Sequence, residues 1–142
     1  MVLGLLAALS PAATAQVPTR VSSDAPIVNF RLPSFTPDGF RTSMVRGSEA
    51  RLLGANQIQV LGLTMTLFSG DRTEKIETMI LSPSALLQPD DQTISGDSTI
   101  RVINDEFEAS GENWRYDHRE KRVLITQNVR VAFRAQLANF LQ

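Results

Sequence analysis

Hydrophobic and polar residues alternate most regularly between Asn113 and Phe133. Trp114 and Tyr116 alternate with charged neighbours, a charged run follows at 118–122, and apolar residues then return on odd positions. Those odd positions are Val123, Ile125, Val129, Val131 and Phe133. Because side chains of a strand point alternately to opposite faces, this pattern predicts a β-hairpin and a long amphipathic strand with one face that favours burial.

Shorter alternating segments precede this stretch, and each is closed by residues that favour turns. The predicted strands are 27–33, 40–45, 57–68, 73–81, 93–95, 98–103 and 106–109, followed by the hairpin. Predicted breaks lie at 46–49, 82–84, 96–97 and 110–111, and short helices are possible only at 82–87 and 132–142. Roughly seven to nine short strands predict an all-β domain, as a β-sandwich, a jelly roll or a rolled sheet.

Two details of this pattern bear on the shape of the sheet. Within 57–68 the apolar residues change phase at Leu61–Gly62, which predicts a β-bulge or a sharp bend. A long series of antiparallel strands also leaves open sheet edges. An edge strand without charged residues to prevent pairing favours strand addition by a partner chain.

The first fifteen residues have the pattern of an export signal. MVLGLLAALSPAATA contains an apolar run, a proline and small residues at Ala13 and Ala15, where a signal peptidase would cut. The run is much shorter than a membrane span, which needs roughly 20 residues. We therefore expect a signal peptide at 1–15, a linker at 16–26, the β-domain at 27–134 and a tail at 135–142. The alternatives are an apolar core segment or, if translation starts upstream, an inner-membrane anchor.

Composition narrows the classes of function. The 142 residues are 42% hydrophobic and 20% charged, with a formal net charge of -1, which is ordinary for a globular domain and unlike a basic nucleic-acid binder. The sequence contains no cysteine, and this excludes disulfides, thiolate metal sites and thiol catalysis.

Catalytic chemistry has little support in the sequence. The single histidine, His118, lies in a charged hairpin turn, where we expect a solvated side chain. The acidic pairs at 90–91 and 105–106 lie in turns, and no nucleotide-binding or metal-ligand spacing occurs. We therefore predict neither an enzyme nor a cofactor or metal site.

The order of the segments resembles a known family. LPSF is followed by GFRTSMVRGSEARLLGANQIQVLGLTMTLF, SPSALL and ISGDSTIRVINDEFEASGENWRYDHREKRVLITQNVRVAF. The last segment contains a recurring unit, formed here by residues 110–117 with Lys121, Val123, Ile125, Asn128, Val129 and Val131. In these features the chain resembles the OstA-like periplasmic lipopolysaccharide-transport proteins, the LptC and LptA group.

The resemblance implies a single antiparallel β-jellyroll, rolled as a partly open sandwich. It also implies that inward apolar residues hold the acyl chains of lipopolysaccharide or a related glycolipid. Similar jellyrolls, including further copies of this chain, would pair edge to edge to form a periplasmic bridge towards the outer membrane. The residues expected to face the acyl chains are Leu63, Met65, Leu67, Ile76, Ile80, Ile100, Val102, Phe107, Trp114, Tyr116, Val123, Ile125, Val129, Val131 and Phe133.

Two other functions remain open from the residues. An exported carbohydrate-binding module would use Trp114, Tyr116 and Phe107 as an aromatic platform and would expose Trp114 or Tyr116. A purely structural envelope module would assemble through its strand edges without a ligand.

Overall fold

The computed structural model describes residues 25–134, which form one antiparallel sheet of seven strands. The strands are β1 (Ile27–Phe35), β2 (Arg41–Gly54), β3 (Gln57–Phe68), β4 (Ile76–Gln88), β5 (Thr93–Asn104), β6 (Phe107–Asp117) and β7 (Arg122–Phe133). A 3-10 turn at Pro89–Asp91 precedes β5. The all-β prediction is confirmed, while the predicted signal peptide, nearly all of the linker and the tail lie outside the described residues.

Strand order in the sheet follows strand order in the sequence. Each strand therefore pairs antiparallel with the next, and the predicted hairpin is confirmed as β6 and β7. Within the described part of the chain the sheet is open rather than closed into a barrel, because β1 and β7 form its two edges. This arrangement is consistent with a rolled, jellyroll-like sandwich.

The four predicted breaks are wrong, because β2, β4, β5 and β6 run through them. The possible helix at 82–87 is likewise part of β4. Inside these strands glycine is required because atoms of neighbouring strands already occupy the position that a Cβ would take, and not because the chain turns there. A Cβ on Gly47 would collide with the Val60 side chain, and a Cβ on Gly111 would collide with Ile125 and lie 2.7 Å from the carbonyl oxygen of Gln127.

Pro83 lies inside the central strand β4, where a missing N–H normally breaks the ladder. The pairing of β4 with β5 is irregular between Leu81 and Leu86, so Pro83 occupies the kind of interruption where proline is tolerated. The adjacent Ser82 hydroxyl donates to the carbonyl oxygen of Thr99 at 2.7 Å and thereby joins the two strands across the irregularity.

A line of backbone irregularities, the crease, crosses the sheet. Asn29, Gly62, Asn113 and Asn128 have φ of +58°, +64°, +53° and +50°. Asn29 is the third residue of β1, and the other three lie near the middle of β3, β6 and β7. The predicted bend at Leu61–Gly62 is confirmed, and it is a bend rather than a bulge because the pairing of β3 continues across it without a register shift. Glycine permits this positive φ at little cost.

The crease divides the sheet into two halves whose inner faces meet. The upper half contains the strand ends next to the turns at 36–40, 69–75 and 105–106, and the lower half contains the opposite ends. One continuous core draws on both halves: Val45, Leu63, Met65, Ile80, Ile100, Val102 and Ala109 from the upper, and Ala50, Val60, Ala85, Leu87, Ile94, Trp114 and Tyr116 from the lower. The two layers of the sandwich are therefore the two halves of one folded sheet.

Candidate functional site

The inner face of the sheet is built from rows of apolar side chains that cross it from strand to strand. Directly opposed residues of neighbouring strands point to the same face, so the pairing defines these rows. An upper row consists of Leu32, Val45, Met65, Ile80, Val102, Ala109 and Val131. A lower row consists of Ile58, Leu87, Ile94, Tyr116 and Val123. The folded sheet thus presents two apolar surfaces to each other.

The structure brings eleven of the fifteen predicted acyl-facing residues into this core. Seven are buried, namely Leu63, Met65, Ile80, Ile100, Val102, Trp114 and Tyr116, and four more are partly buried against them, namely Leu67, Phe107, Val123 and Ile125. The other four, Ile76, Val129, Val131 and Phe133, are exposed. Ile76 is the first residue of β4 and lies outside the core.

The remaining three residues mark an open end of the inner face on β7. Val131 pairs with buried Ala109, and Phe133 pairs with Phe107, so both continue inner rows. Their exposed fractions are nevertheless 47% for Val131 and 75% for Phe133, with 50% for Val129. The Phe107 and Phe133 rings meet edge to face at 6.3 Å between centroids. The apolar interior is therefore continuous with an uncovered apolar strip, the β7 strip, formed by Val129, Val131 and Phe133.

A cavity of about 600 Å³, the end cavity, lies between the two halves at the other side of the sheet. Its upper wall includes Leu32, Val45 and Met65, and its lower wall includes Leu87 and Ile94. A smaller cavity of about 290 Å³ lies between residues of β3 to β5 such as Val102 and residues of β6 and β7 such as Phe107 and Val123. Tyr116 lines both cavities, so its buried ring stands between them.

His118 reaches the end cavity and contacts Tyr116 there. The Tyr116 hydroxyl lies 3.0 Å from His118 Nδ1, and the two rings are 5.9 Å apart. Burial, followed by the Lys121 ammonium, lowers the pKa of His118 even though Asp117 opposes the change. Burial, followed by the Asp117 carboxylate, raises the pKa of Tyr116 to about 12. Both groups are therefore neutral at neutral pH.

His118 lies in the hairpin turn as predicted, but its side chain is only partly exposed because it also lines the end cavity. Sequence reasoning also missed several walls of the end cavity, namely Leu32, Val45, Leu87 and Ile94. For Leu32 and Val45 one available signal was the alternation in 27–33 and 40–45, which already separated these two positions from polar neighbours. Their meeting with β4 and β5 depends on the folding of the sheet and has no local signal.

Trp114 and Tyr116 do not form a surface platform. Their exposed fractions are 4% and 1%. Trp114 packs over Gly96, where a Cβ would lie 2.8 Å from the indole Nε1. The buried Nε1 is the one side-chain polar atom among the described residues that is fully buried without a hydrogen-bond partner. These rings serve the core, which argues against the aromatic sugar-binding surface considered from the sequence.

Within residues 25–134, no cluster of three or more histidine, cysteine, aspartate or glutamate side chains has the geometry to hold a metal. No helix in that range is long and apolar enough to cross a bilayer.

A family model of known proteins matches most of the chain. The family model described as "LptC: Lipopolysaccharide-assembly, LptC-related" matches residues 15–134. The match covers all seven strands, both cavities and the β7 strip. No curated protein sequence matches the chain.

Proposed function

The chain belongs to the LptC-related family of lipopolysaccharide-assembly proteins, and we propose that it serves lipopolysaccharide transport by holding the acyl chains of the lipid between the two halves of its sheet. The observation that carries this proposal is the β7 strip. In this strip the residues that continue the inner rows are apolar and exposed to solvent. An acyl chain that enters along Val131 and Phe133 would continue into the interior without crossing a polar barrier.

The energetics of this proposal need no chemical step. Each buried CH₂ group contributes about 0.8 kcal/mol, so burial of roughly five to nineteen acyl carbons would offset the roughly 4–15 kcal/mol that the loss of motion on binding costs. The fifteen residues predicted from the sequence remain our proposed acyl-facing set. Within that set, the exposed β7 strip would be the entry point for an acyl chain. The buried side chains of the set would have to repack when the acyl chain enters the interior. We propose that the protein is a carrier and not an enzyme.

Transfer between proteins would use the sheet edges. β7 is a twelve-residue edge strand without proline, whereas β1 has nine residues and contains Pro33, which lacks a backbone donor. An unpaired edge with all its N–H groups is the better template for strand addition. We therefore propose that another β-jellyroll protein, or a second copy of this chain, pairs along β7 and extends the apolar surface. Size-exclusion chromatography over a range of concentrations tests self-pairing.

The cellular setting is part of the same proposal. Export by residues 1–15, followed by a linker at 16–26, would place the domain at 27–134 in the periplasm, with 135–142 as a tail. Anchoring in the inner membrane is the alternative if translation starts upstream. N-terminal sequencing of the protein recovered from a periplasmic fraction tests the predicted cleavage.

Binding to intact lipopolysaccharide, with the delipidated polysaccharide as the paired ligand, tests the carrier function directly. We expect binding to the intact form alone. Equal binding to both would instead indicate a sugar-binding module, and binding to neither would indicate an assembly role without a lipid ligand.

Val131→Asp sharpens this test, because it places a charge on the apolar path. We expect at least a tenfold loss of lipopolysaccharide affinity with little change in stability, since the side chain is already half exposed. Leu124→Asp is the matched control: Leu124 is similarly exposed on the same strand, but it pairs with Arg115 on the outer face. Equal losses in both variants would contradict the path along β7.

Ile125→Asp should also abolish binding, but its result is harder to interpret. Ile125 packs against the core and against Gly111, so a buried carboxylate would destabilise the fold itself. The half-exposed Val131 is therefore the more informative position.

A further inference from the structure

We propose that the end cavity recognises the polar linkage at the head of an acyl chain, with Tyr116 and His118 as a neutral hydrogen-bonding anchor for an ester or amide carbonyl. This inference rests on the proposed carriage of acyl chains. It adds the chemical group that is recognised and the residues that recognise it.

The walls of the end cavity define the class of ligand. The described residues that line it include no aspartate, glutamate, lysine or arginine. An anionic group would leave water without gaining a countercharge, which is costly. An acyl chain, in contrast, finds apolar walls at Val45, Met65 and Ile94. The lining therefore suits an uncharged polar group attached to a hydrocarbon chain.

The neutral Tyr116–His118 pair always leaves one hydrogen-bond donor unused. A neutral imidazole has one N–H and the phenol has one O–H, so the pair contains two donors. The contact at 3.0 Å uses one of them, whichever tautomer is present. No other hydrogen bond of either side chain occurs within residues 25–134. The remaining donor matches a carbonyl oxygen, which can only accept.

The position of the pair supports this role. Tyr116 is held between its paired neighbours Ile94 and Val123 in the lower row. The backbone N–H of His118 donates to the carbonyl oxygen of Gln92 at 2.9 Å, which fixes the start of the turn beside the cavity. The two side chains are thus supported by neighbouring strands rather than by a loose loop.

Displacement of a fluorescent acyl probe from the full chain tests the inference with three ligands of equal chain length. Lauroyl glycerol carries an uncharged ester, dodecane carries no polar group, and dodecyl phosphate carries an anion. We expect the wild-type chain to bind lauroyl glycerol more tightly than the other two. We expect Tyr116→Phe/His118→Phe to weaken lauroyl glycerol binding about tenfold, as the loss of one well-placed hydrogen bond predicts, and to affect dodecane binding much less, because dodecane accepts no hydrogen bond.

The single variants and a control complete the design. Tyr116→Phe or His118→Phe alone leaves one donor in place but without its oriented partner, so we expect a loss of about two- to threefold for lauroyl glycerol. If the double variant fails to fold, these singles decide the test. Thr64→Val removes a hydroxyl from the outer face of β3, beside inward Leu63 and Met65, and should change no affinity.

Each outcome has a definite meaning. A folded double variant that binds lauroyl glycerol like the wild type overturns the anchor, as does tightest binding of dodecyl phosphate. In both cases the proposed carrier function survives if dodecane still displaces the probe. Failure of all three ligands to bind the wild-type chain would overturn the apolar site and the anchor together.

Discussion

The central strands and the last strand use the same inner face in different ways. In the upper row, Ile80 on β4 is 1% exposed, while Val131 on β7 is 47% exposed. The two residues share a face and differ little in chemistry. Their neighbours distinguish them. Ile80 lies between Met65 and Val102 in the middle of the folded sheet. Val131, in contrast, lies on an edge strand with Ala109 on one side only. Burial in this fold is therefore set by the strands beside and opposite a residue, and an apolar pattern alone does not report it.

This comparison predicts a large difference in stability between matched truncations. Ile80→Ala should lower the free energy of unfolding by about 2–5 kcal/mol, because it removes buried methyl groups and leaves a cavity. Val131→Ala should lower it by about 0.5 kcal/mol or less, because that side chain is already half solvated. Urea denaturation of both variants measures the two values. Similar losses would show that the β7 strip is covered in solution.

A smaller loss in the free energy of unfolding is expected for a substitution at the contact between β6 and β7. Gly111→Ala forces a methyl group against Ile125 and the Gln127 carbonyl, and we expect a loss of about 1–3 kcal/mol from this overpacking. Gly54→Ala is the control, because the nearest atom to its added Cβ, Gln57 Oε1, is 3.9 Å away. Hydrogen exchange should show the extra opening concentrated in β7. Uniform loss of protection over all strands would contradict a local weakening.

The smallest expected effect is a pH dependence of stability caused by His118, in the turn that joins β6 to β7. Because the pKa of His118 is lowered in the folded chain, the unfolded chain binds this proton more readily. The folded state should therefore lose stability as the pH falls below about 6.5, the ordinary pKa of an imidazole, with no contribution from this group well above that pH. His118→Gln should flatten that dependence, as measured by urea midpoints at each pH. An unchanged slope would show that His118 does not cause it.

Local chemistry was a good guide to strand identity and a poor guide to strand length. The alternation at 113–133 and the phase change at Leu61–Gly62 were both confirmed, because side-chain period and backbone bends are properties of neighbouring residues. Gly47 and Gly111 were mistaken for turn residues. Their role is to make room for side chains of adjacent strands, and that requirement appears only when the strands are paired.

The predicted acyl-facing set shows the same division. By pairing, thirteen of the fifteen residues lie on inner rows, so alternation was sufficient to choose the face for most of them; Val129 lies at the register shift between β6 and β7, and Ile76 lies outside the core. Alternation was not sufficient to separate Trp114, deep in the core, from Phe133, in the open strip. Nor did it bring His118 to the end cavity, because a charged hairpin sequence gives no indication of what packs over the turn.

The sequence by itself determined the all-β class, the inward positions that gave most of the acyl-facing set, and the resemblance to the lipopolysaccharide-transport family. These properties follow from periodicity and from recurring local motifs. The tertiary structure decided that one sheet folds along the crease into two layers, that the inner face is closed over β3–β6 and open at β7, and that a neutral Tyr116–His118 pair faces a cavity without charges. Those properties depend on contacts between residues far apart in the chain, whose closeness is set by the fold.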